Sequence, residues 1–236
     1  MKTTALATLL TVLLLLPNLG QAQSFDASRA PVLKKAKEWR SARNEVTMTL
    51  GDTLTTDYYH NLLVSGGYDR HLTNWLSLGA ALGYALPIKT TLAGSIEDER
   101  GTASKPYEIP ATHLGLTAEG HISFIPFYGK QLWRGKRALA YDFHVTLGAG
   151  VIQTQWNSDA DVNADGEFLF APSAGVGFRF FIKDNVALRL EVRDHLARMT
   201  THADRLGNVQ DAQWENLVML NLGISVFIPS EVVHEE

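Results

Sequence analysis

The stretch Trp75-Leu76-Ser77-Leu78-Gly79-Ala80-Ala81-Leu82-Gly83-Tyr84-Ala85-Leu86-Pro87-Ile88 decides how this chain folds. Its even positions Leu76, Leu78, Ala80, Leu82, Tyr84, Leu86 and Ile88 are apolar, and its odd positions Ser77, Gly79, Ala81, Gly83 and Ala85 are small. A period of two places these sets on opposite faces of an extended strand, because side chains alternate along a strand and recur every 3.6 residues along a helix.

The same period recurs on either side. Val186 to Leu196 sets Val186, Leu188, Leu190 and Val192 against Arg189, Glu191, Arg193 and His195. Leu139 to Val151 opposes Leu139, Tyr141, Phe143, Val145 and Leu147 to Ala140, Asp142, His144, Thr146 and Gly148. Leu114 to Phe124 opposes Leu114, Leu116, Ala118, Ile122 and Phe124 to Thr117, Glu119, His121 and Ser123. Phe170 to Ile182 and Val218 to Ile228 alternate as well, while Glu45 to Leu54 and Tyr58 to Asp69 do so less cleanly, which makes eight strands.

The links between them also alternate in length. Asp69 to Asn74, Pro126 to Arg137 and Lys183 to Asn185 fall on one side; the longer Lys89 to Thr112, Gln153 to Glu167 and Arg198 to Glu215 fall on the other. Short turns on one side and long loops on the other are the asymmetry of bacterial outer-membrane barrels. The expected fold is therefore all-β, an eight-stranded antiparallel up-and-down transmembrane barrel spanning Asn44 to Pro229.

The N-terminus agrees with export. Lys2 opens a short basic region, Leu6 to Leu16 is apolar, and Gly20-Gln21-Ala22 offers small residues where a signal peptidase reads, so residues 1–22 are expected to be a signal peptide. The apolar run is near 11 residues, short of the roughly 20 that a spanning helix needs. The segment Gln23 to Arg43 is expected in the periplasm, as a short helix over the lumen or against a partner, or as a flexible lead-in. The acidic tail Ser230 to Glu236 is expected on the same side. The chain has no cysteine, which excludes disulfides, thiolate metal sites and acylation near Ala22. A net charge of −4 with no basic stripe argues against nucleic acid.

Alternation alone does not say which face is outside, since a soluble lipid-binding barrel is two-faced as well. Here the polar face is rich in glycine, alanine and serine, carries paired charges, and has no strand-interior lysine. A solvated exterior would be richer in lysine and glutamate, whereas a narrow lumen needs small residues for room and opposite charges for compensation. The apolar face carries Tyr68, Tyr84, Phe124, Tyr141, Phe168, Phe170 and Phe180 near strand ends, with Trp133 flanking, as interfacial girdles do. With eight strands the interior is about filled by side chains, so an open channel is not expected.

Three stretches together carry a resemblance: Ile125-Pro126-Phe127-Tyr128-Gly129-Lys130, Gly148-Ala149-Gly150-Val151, and Gly175-Val176-Gly177-Phe178-Arg179-Phe180-Phe181 followed by Ala187-Leu188-Arg189-Leu190-Glu191-Val192-Arg193-Asp194. They resemble the outer-membrane β-barrel domain family typical of myxobacteria, over about Asn44 to Pro229. The resemblance implies an outer-membrane location and, for some members, a place in a gliding-motility envelope complex. It brings no catalytic residues. Phe227 and Ile228 are followed by Pro229 and an acidic tail rather than by the terminal aromatic residue usual in such proteins.

No reaction is announced by any residue, and neither a cofactor nor a metal is expected. Glu119, Asp142, Arg179, Arg189, Glu191 and Arg193 are read as a compensating charge network inside the lumen, in preference to an ion path. His121, His144 and His195 share that face without metal-ligand spacing, which favours hydrogen-bonded histidines. The loop Asp159 to Gly166 starts like a calcium loop, with Asp161, Asn163 and Asp165, but the closing acid falls on Pro172. Lys130, Trp133, Arg134, Lys136 and Arg137 form a basic turn suited to docking a periplasmic or envelope-complex protein, or to facing anionic headgroups. Expected partners are outer-membrane lipid and lipopolysaccharide together with such a protein. Two other readings stay open: a soluble periplasmic lipid-binding barrel, and a lipid-modifying outer-membrane enzyme with a Ser/His/acid set on the lipid face.

Overall fold

The computed structural model describes residues 40–56, 58–102, 107, 109, 111–133, 137–157, 167–199 and 212–229, all within the compact unit Glu38–Glu236, with backbone alone at 132, 133, 137, 138, 156 and 157. Eight strands run in chain order: β1 (Asn44–Thr53), β2 (Tyr59–His71), β3 (Leu76–Lys89), β4 (Ala111–Trp133), β5 (Arg137–Asn157), β6 (Glu167–Lys183), β7 (Val186–Met199) and β8 (Gln213–Ile228). Each pairs antiparallel with the next, and β1 closes on β8 from Asn44↔Ile228 to Thr53↔Met219, giving a closed up-and-down barrel. Closure removes both sheet edges, so every wall strand has a ladder partner on each side.

The packing is inverted relative to a soluble protein. Outward-facing Met48, Leu82, Leu147 and Phe170 are 63–69% exposed, while inward-facing Glu45, His71, Asp142 and His144 are 0% exposed. Exposed leucine, valine, isoleucine and phenylalanine continue around all eight strands. Water would penalise so much apolar surface, whereas hydrocarbon accepts it and a closed ladder leaves no backbone group unpaired. The soluble lipid-binding alternative is thereby overturned: the apolar face points outward and the interior has no apolar bore to hold a lipid.

Two bulges correct the expected phase of β4. Leu114 was expected outside with Leu116; a register shift between Leu114 and Thr117 turns Leu114 inward, 3% exposed, while Leu116 stays outside. Ile125 keeps the inward phase of Ser123, and a second shift between Phe124 and Phe127 absorbs Pro126 and puts Phe127 outside. An extra residue moves the alternation by one, and a bulge also tolerates a proline that has no N–H to donate. Pro126 to Arg137, expected as a turn-side link, is therefore largely a continuation of the β4–β5 ladder to Trp133↔Arg137.

On the loop side, the link between β3 and β4 contains an unexpected helix, α1 (Thr91–Arg100), N-capped by the Thr90 hydroxyl, which accepts the Ala93 N–H. It buries Ala93 against Tyr59, Ile109 and Ala111, with Ile96 and Tyr107 packed alongside. The mean character of α1 is polar, which hides it among loop residues in the sequence. No helix among the described residues is long and apolar enough to cross a membrane.

Candidate functional site: a sealed, charge-paired lumen

The lumen is filled in tiers. Toward the long loops, Leu63, Leu114, Ile152, Ala171, Met199, Leu217 and Met219 meet in an apolar plug. Toward the short turns, Ala140, Phe181, Ala187 and Phe227 pack with Tyr128. Between them lie the charges, each tied to a partner.

The lower charged tier is centred on Arg179, which donates from Nε to Asp142 Oδ1 at 3.0 Å and from Nη1 to Glu45 Oε2. His71 Nε2 lies 2.9 Å from Glu45 Oε2. Arg40, in the chain before β1, enters from the turn side, and its Nη2 lies 2.8 Å from Asp142 Oδ2. Its guanidinium stands 5.5 Å over the Tyr128 ring and 5.3 Å over Phe181. Arg43 lies 5.1 Å over Phe227 and donates to the carbonyls of Pro229 and Asp184, both at 3.1 Å. The described end of the N-terminal segment thus caps the lumen, and two guanidiniums on aromatic faces make up the cap.

The upper tier is built on β7, where Arg189, Glu191 and Arg193 occupy successive inward positions about 7 Å apart. Glu191 accepts from Arg189 Nε at 2.8 Å and from Arg193 Nε at 2.5 Å, and His144 Nε2 is 3.2 Å from its Oε2. Glu119 is met by Arg193, by His195 Nε2 at 3.0 Å and by the Ser173 hydroxyl, which donates at 3.1 Å. His121 Nε2 lies 2.9 Å from Asp69 Oδ1, and Arg189 Nη1 lies 3.7 Å from both Glu45 and Asp69. A cavity of about 70 Å³ remains beside Asp69, Glu119, His121, Arg193, His195 and Asn221, enough for a few waters.

All six charges expected in the lumen therefore belong to one connected network. Sequence reasoning missed Glu45, Asp69, His71 and Arg40, because β1 alternates weakly, Asp69 looked like the start of a turn and Arg40 lies outside the barrel strands. The three histidines expected on this face each sit against a carboxylate. No group of His, Cys, Asp and Glu among the described residues is arranged to hold a metal. Of the expected docking residues, Arg134 and Lys136 lie outside the described residues, as does the Asp159 to Gly166 loop; the backbone of Trp133 and Arg137 ends the β4–β5 ladder and Lys130 sits within it.

On the exterior near the loops, His60 Nδ1 is 3.2 Å from Asp52 Oδ2, a pair the sequence reading did not pick out.

No protein-family model and no curated protein matches this sequence. Among solved structures, the chain is similar to the N-terminal β-barrel domain of Pseudomonas aeruginosa OprF, at 10% identity and a TM-score of 0.46, covering 80% of this chain and 98% of that one. It is also similar to Neisserial surface protein A, at 10% identity and 0.39, over 78% and 94% of the two chains. The attachment invasion locus protein Ail of Yersinia pestis matches at 8% identity and 0.39, over 80% and 99%. Independently of these likenesses, a closed antiparallel barrel with an even strand number, an apolar outer belt and a polar, filled interior is the architecture of the bacterial outer membrane, and this chain is a barrel of that membrane.

Proposed function

We propose that this chain is a non-enzymatic anchor and scaffold, which holds its long connections outside the cell and docks a cell-envelope complex through its turn-side end. The observation that carries this reading is the sealed lumen: an apolar plug, two charged tiers and an aromatic cap lie in series across it. A barrel without a bore has only its ends and its lipid face to offer.

The β4–β5 ladder supports docking at the turn side. β3 pairs with β4 only as far as Leu76↔Phe124, and β5 first meets β6 at Ala140↔Phe181, yet β4 and β5 pair on to Trp133↔Arg137. The strands of this extension carry Lys130, Trp133 and Arg137, and the sequence between them supplies Arg134 and Lys136, a basic set that suits an acidic partner. A place in a gliding-motility complex rests on the family resemblance alone.

Affinity purification from envelope membranes tests the reading. Neutralising Arg134 and Lys136 together should remove a co-purifying envelope protein while the barrel stays folded. Unchanged co-purification would overturn the docking site, and altered lipid A in a deletion strain would overturn the non-enzymatic role.

A further inference from the structure

The outer wall is not uniform around its circumference. Thr49, Gly223 and Arg189 are register neighbours across β1, β8 and β7. The Thr49 and Arg189 side chains line the lumen chamber and Gly223 has none, so along this row the wall turns only backbone outward. Met48, Ile224 and Leu188 stand in register on the turn side of the row, and Leu50, Leu222 and Leu190 on its loop side. Between these two apolar ridges lies a trough of about 870 Å³, which reaches Val46 and Val226 at its turn-side edge.

The trough ends on a polar rim. From Val46 the outward column of β1 continues to Asn44, whose Oδ1 accepts from the Tyr68 hydroxyl at 2.7 Å and from Arg70 Nη1 at 2.9 Å. Arg70 Nη1 also donates to the Ala42 carbonyl at 2.7 Å. Both acceptors are neutral, and among the described residues Arg70 meets no carboxylate and makes no bond from Nε or Nη2. Its exposed guanidinium is therefore fixed in place with its charge and most of its planar fork of donors still open, the geometry that suits a phosphate.

The height of Arg70 agrees. Tyr68 belongs to the turn-side aromatic belt together with Trp75 and Phe124, whose rings meet edge to face 5.7 Å apart. Such belts lie at the headgroup level. Arg70, the next outward residue after Tyr68, stands at the phosphate level of the turn-side leaflet, which in an outer-membrane barrel is the periplasmic one. Toward the loops the first charges on the same strands are anions: Asp52, beside His60, follows Leu50 on β1, and Asp194 follows Val192 on β7, with Arg198 farther out. An anionic head is attracted to one end of the trough and repelled at the other.

We propose that the outer surface of β1, β7 and β8 is a binding site for one anionic glycerophospholipid of the periplasmic leaflet, with its phosphate on Arg70 and its acyl chains in the trough. The ridges supply apolar contact along the chains, and the rim supplies the charge that selects the head. Lipid A, in the opposite leaflet, would bring its phosphates to the Asp52 and Asp194 end.

Native mass spectrometry of the intact barrel, released from detergent micelles that contain phosphatidylglycerol, phosphatidylethanolamine and lipid A in equal amounts, tests this. One phosphatidylglycerol per barrel should be retained, several-fold more than phosphatidylethanolamine or lipid A. Arg70→Gln should lower phosphatidylglycerol retention several-fold, to the phosphatidylethanolamine level. Leu222→Ala with Ile224→Ala, which cuts down both ridges on β8, should lower retention of either phospholipid. Arg198→Gln, which removes an outer-wall cation at the loop end, should change neither. Heat-modifiable gel migration shows that each variant is folded, as expected for changes to exposed positions. No retained lipid, a preference for lipid A, equal retention of the two phospholipids by the unaltered barrel, or equal losses in Arg70→Gln and Arg198→Gln would each overturn the proposal. Because the measurement reads bound lipid and no protein partner, its failure leaves the docking reading untouched.

Discussion

His144 and Gly177 are register partners across β5 and β6, and the imidazole of one occupies the space a side chain would take at the other. A Cβ built on Gly177 would lie 2.7 Å from His144 Nε2 and 2.6 Å from the Leu190 carbonyl oxygen. The arrangement repeats around the lumen: Gly79 and Gly148 face His121, Gly150 faces Glu119, Gly175 faces Arg193 and Gly223 faces Arg189. A large charged side chain fits an eight-stranded bore where its cross-strand neighbour has none.

Gly177→Ala should therefore displace His144 from Glu191 and destabilise the barrel by roughly 1–3 kcal/mol, as overpacking does. Gly66→Ala and Gly120→Ala make the contrast, because a Cβ at either meets nothing within 4 Å. Urea unfolding in detergent micelles should separate Gly177→Ala from the other two; equal midpoints would contradict the packing argument.

Arg179 joins Glu45 to Asp142 while itself only 2% exposed. Arg179→Met leaves both carboxylates short of a cation and should cost roughly 3–5 kcal/mol, the scale for breaking a buried pair. Adding Glu45→Gln should restore part of that loss, since it removes one stranded charge. The measurement is the temperature at which the heat-modifiable band shifts on a gel, and an additive double variant would argue against coupling through Arg179.

The apolar plug and the aromatic cap predict that the purified barrel produces no unitary current steps in planar bilayers. Arg40→Ala, which opens only the turn-side cap, should leave that silence intact, because Leu63, Ile152 and Met219 still close the loop side. Single-channel recording of both proteins decides it.

Glu97 in α1 lies outside the bilayer. Partial desolvation works against its ionisation, but the Lys89 ammonium at 2.9 Å and the Ile109 N–H, which donates at 3.2 Å, outweigh it and hold the carboxyl below the usual range. A lowered folded-state value means that the stabilisation is present above the unfolded carboxyl range and is lost as pH falls through the folded value. The pair is partly exposed, so its worth is under about 1 kcal/mol. Amide exchange at Ile109, compared with that of an Ala85 reference in the wall, should quicken on acidification, and Glu97→Gln should make it quick at neutral pH.

Much of the wall was legible because a strand with one face in lipid and one in a lumen must alternate, and Trp75 to Ile88 and Val186 to Leu196 do so without interruption. β4 was read with the wrong phase at Leu114 and too short beyond Pro126, because a bulge is a property of two strands and leaves no mark in the period of one. α1 was missed because its surface is polar and its stability comes from Tyr59, Ile109 and Ala111, which are distant in sequence or follow a long link.

The sequence alone determined the strand number, the antiparallel order and, Leu114 at the β4 bulge excepted, which residues share a face, since these follow from local period and link length. It also placed Glu119, Asp142, Arg179, Arg189, Glu191 and Arg193 on that face. Only the tertiary structure decided that Arg40 reaches Asp142, that Glu45 and Asp69 join the network, and that His121 falls between two carboxylates. Those contacts depend on shear and closure, which bring strands far apart in sequence to the same height across a bore a few ångströms wide.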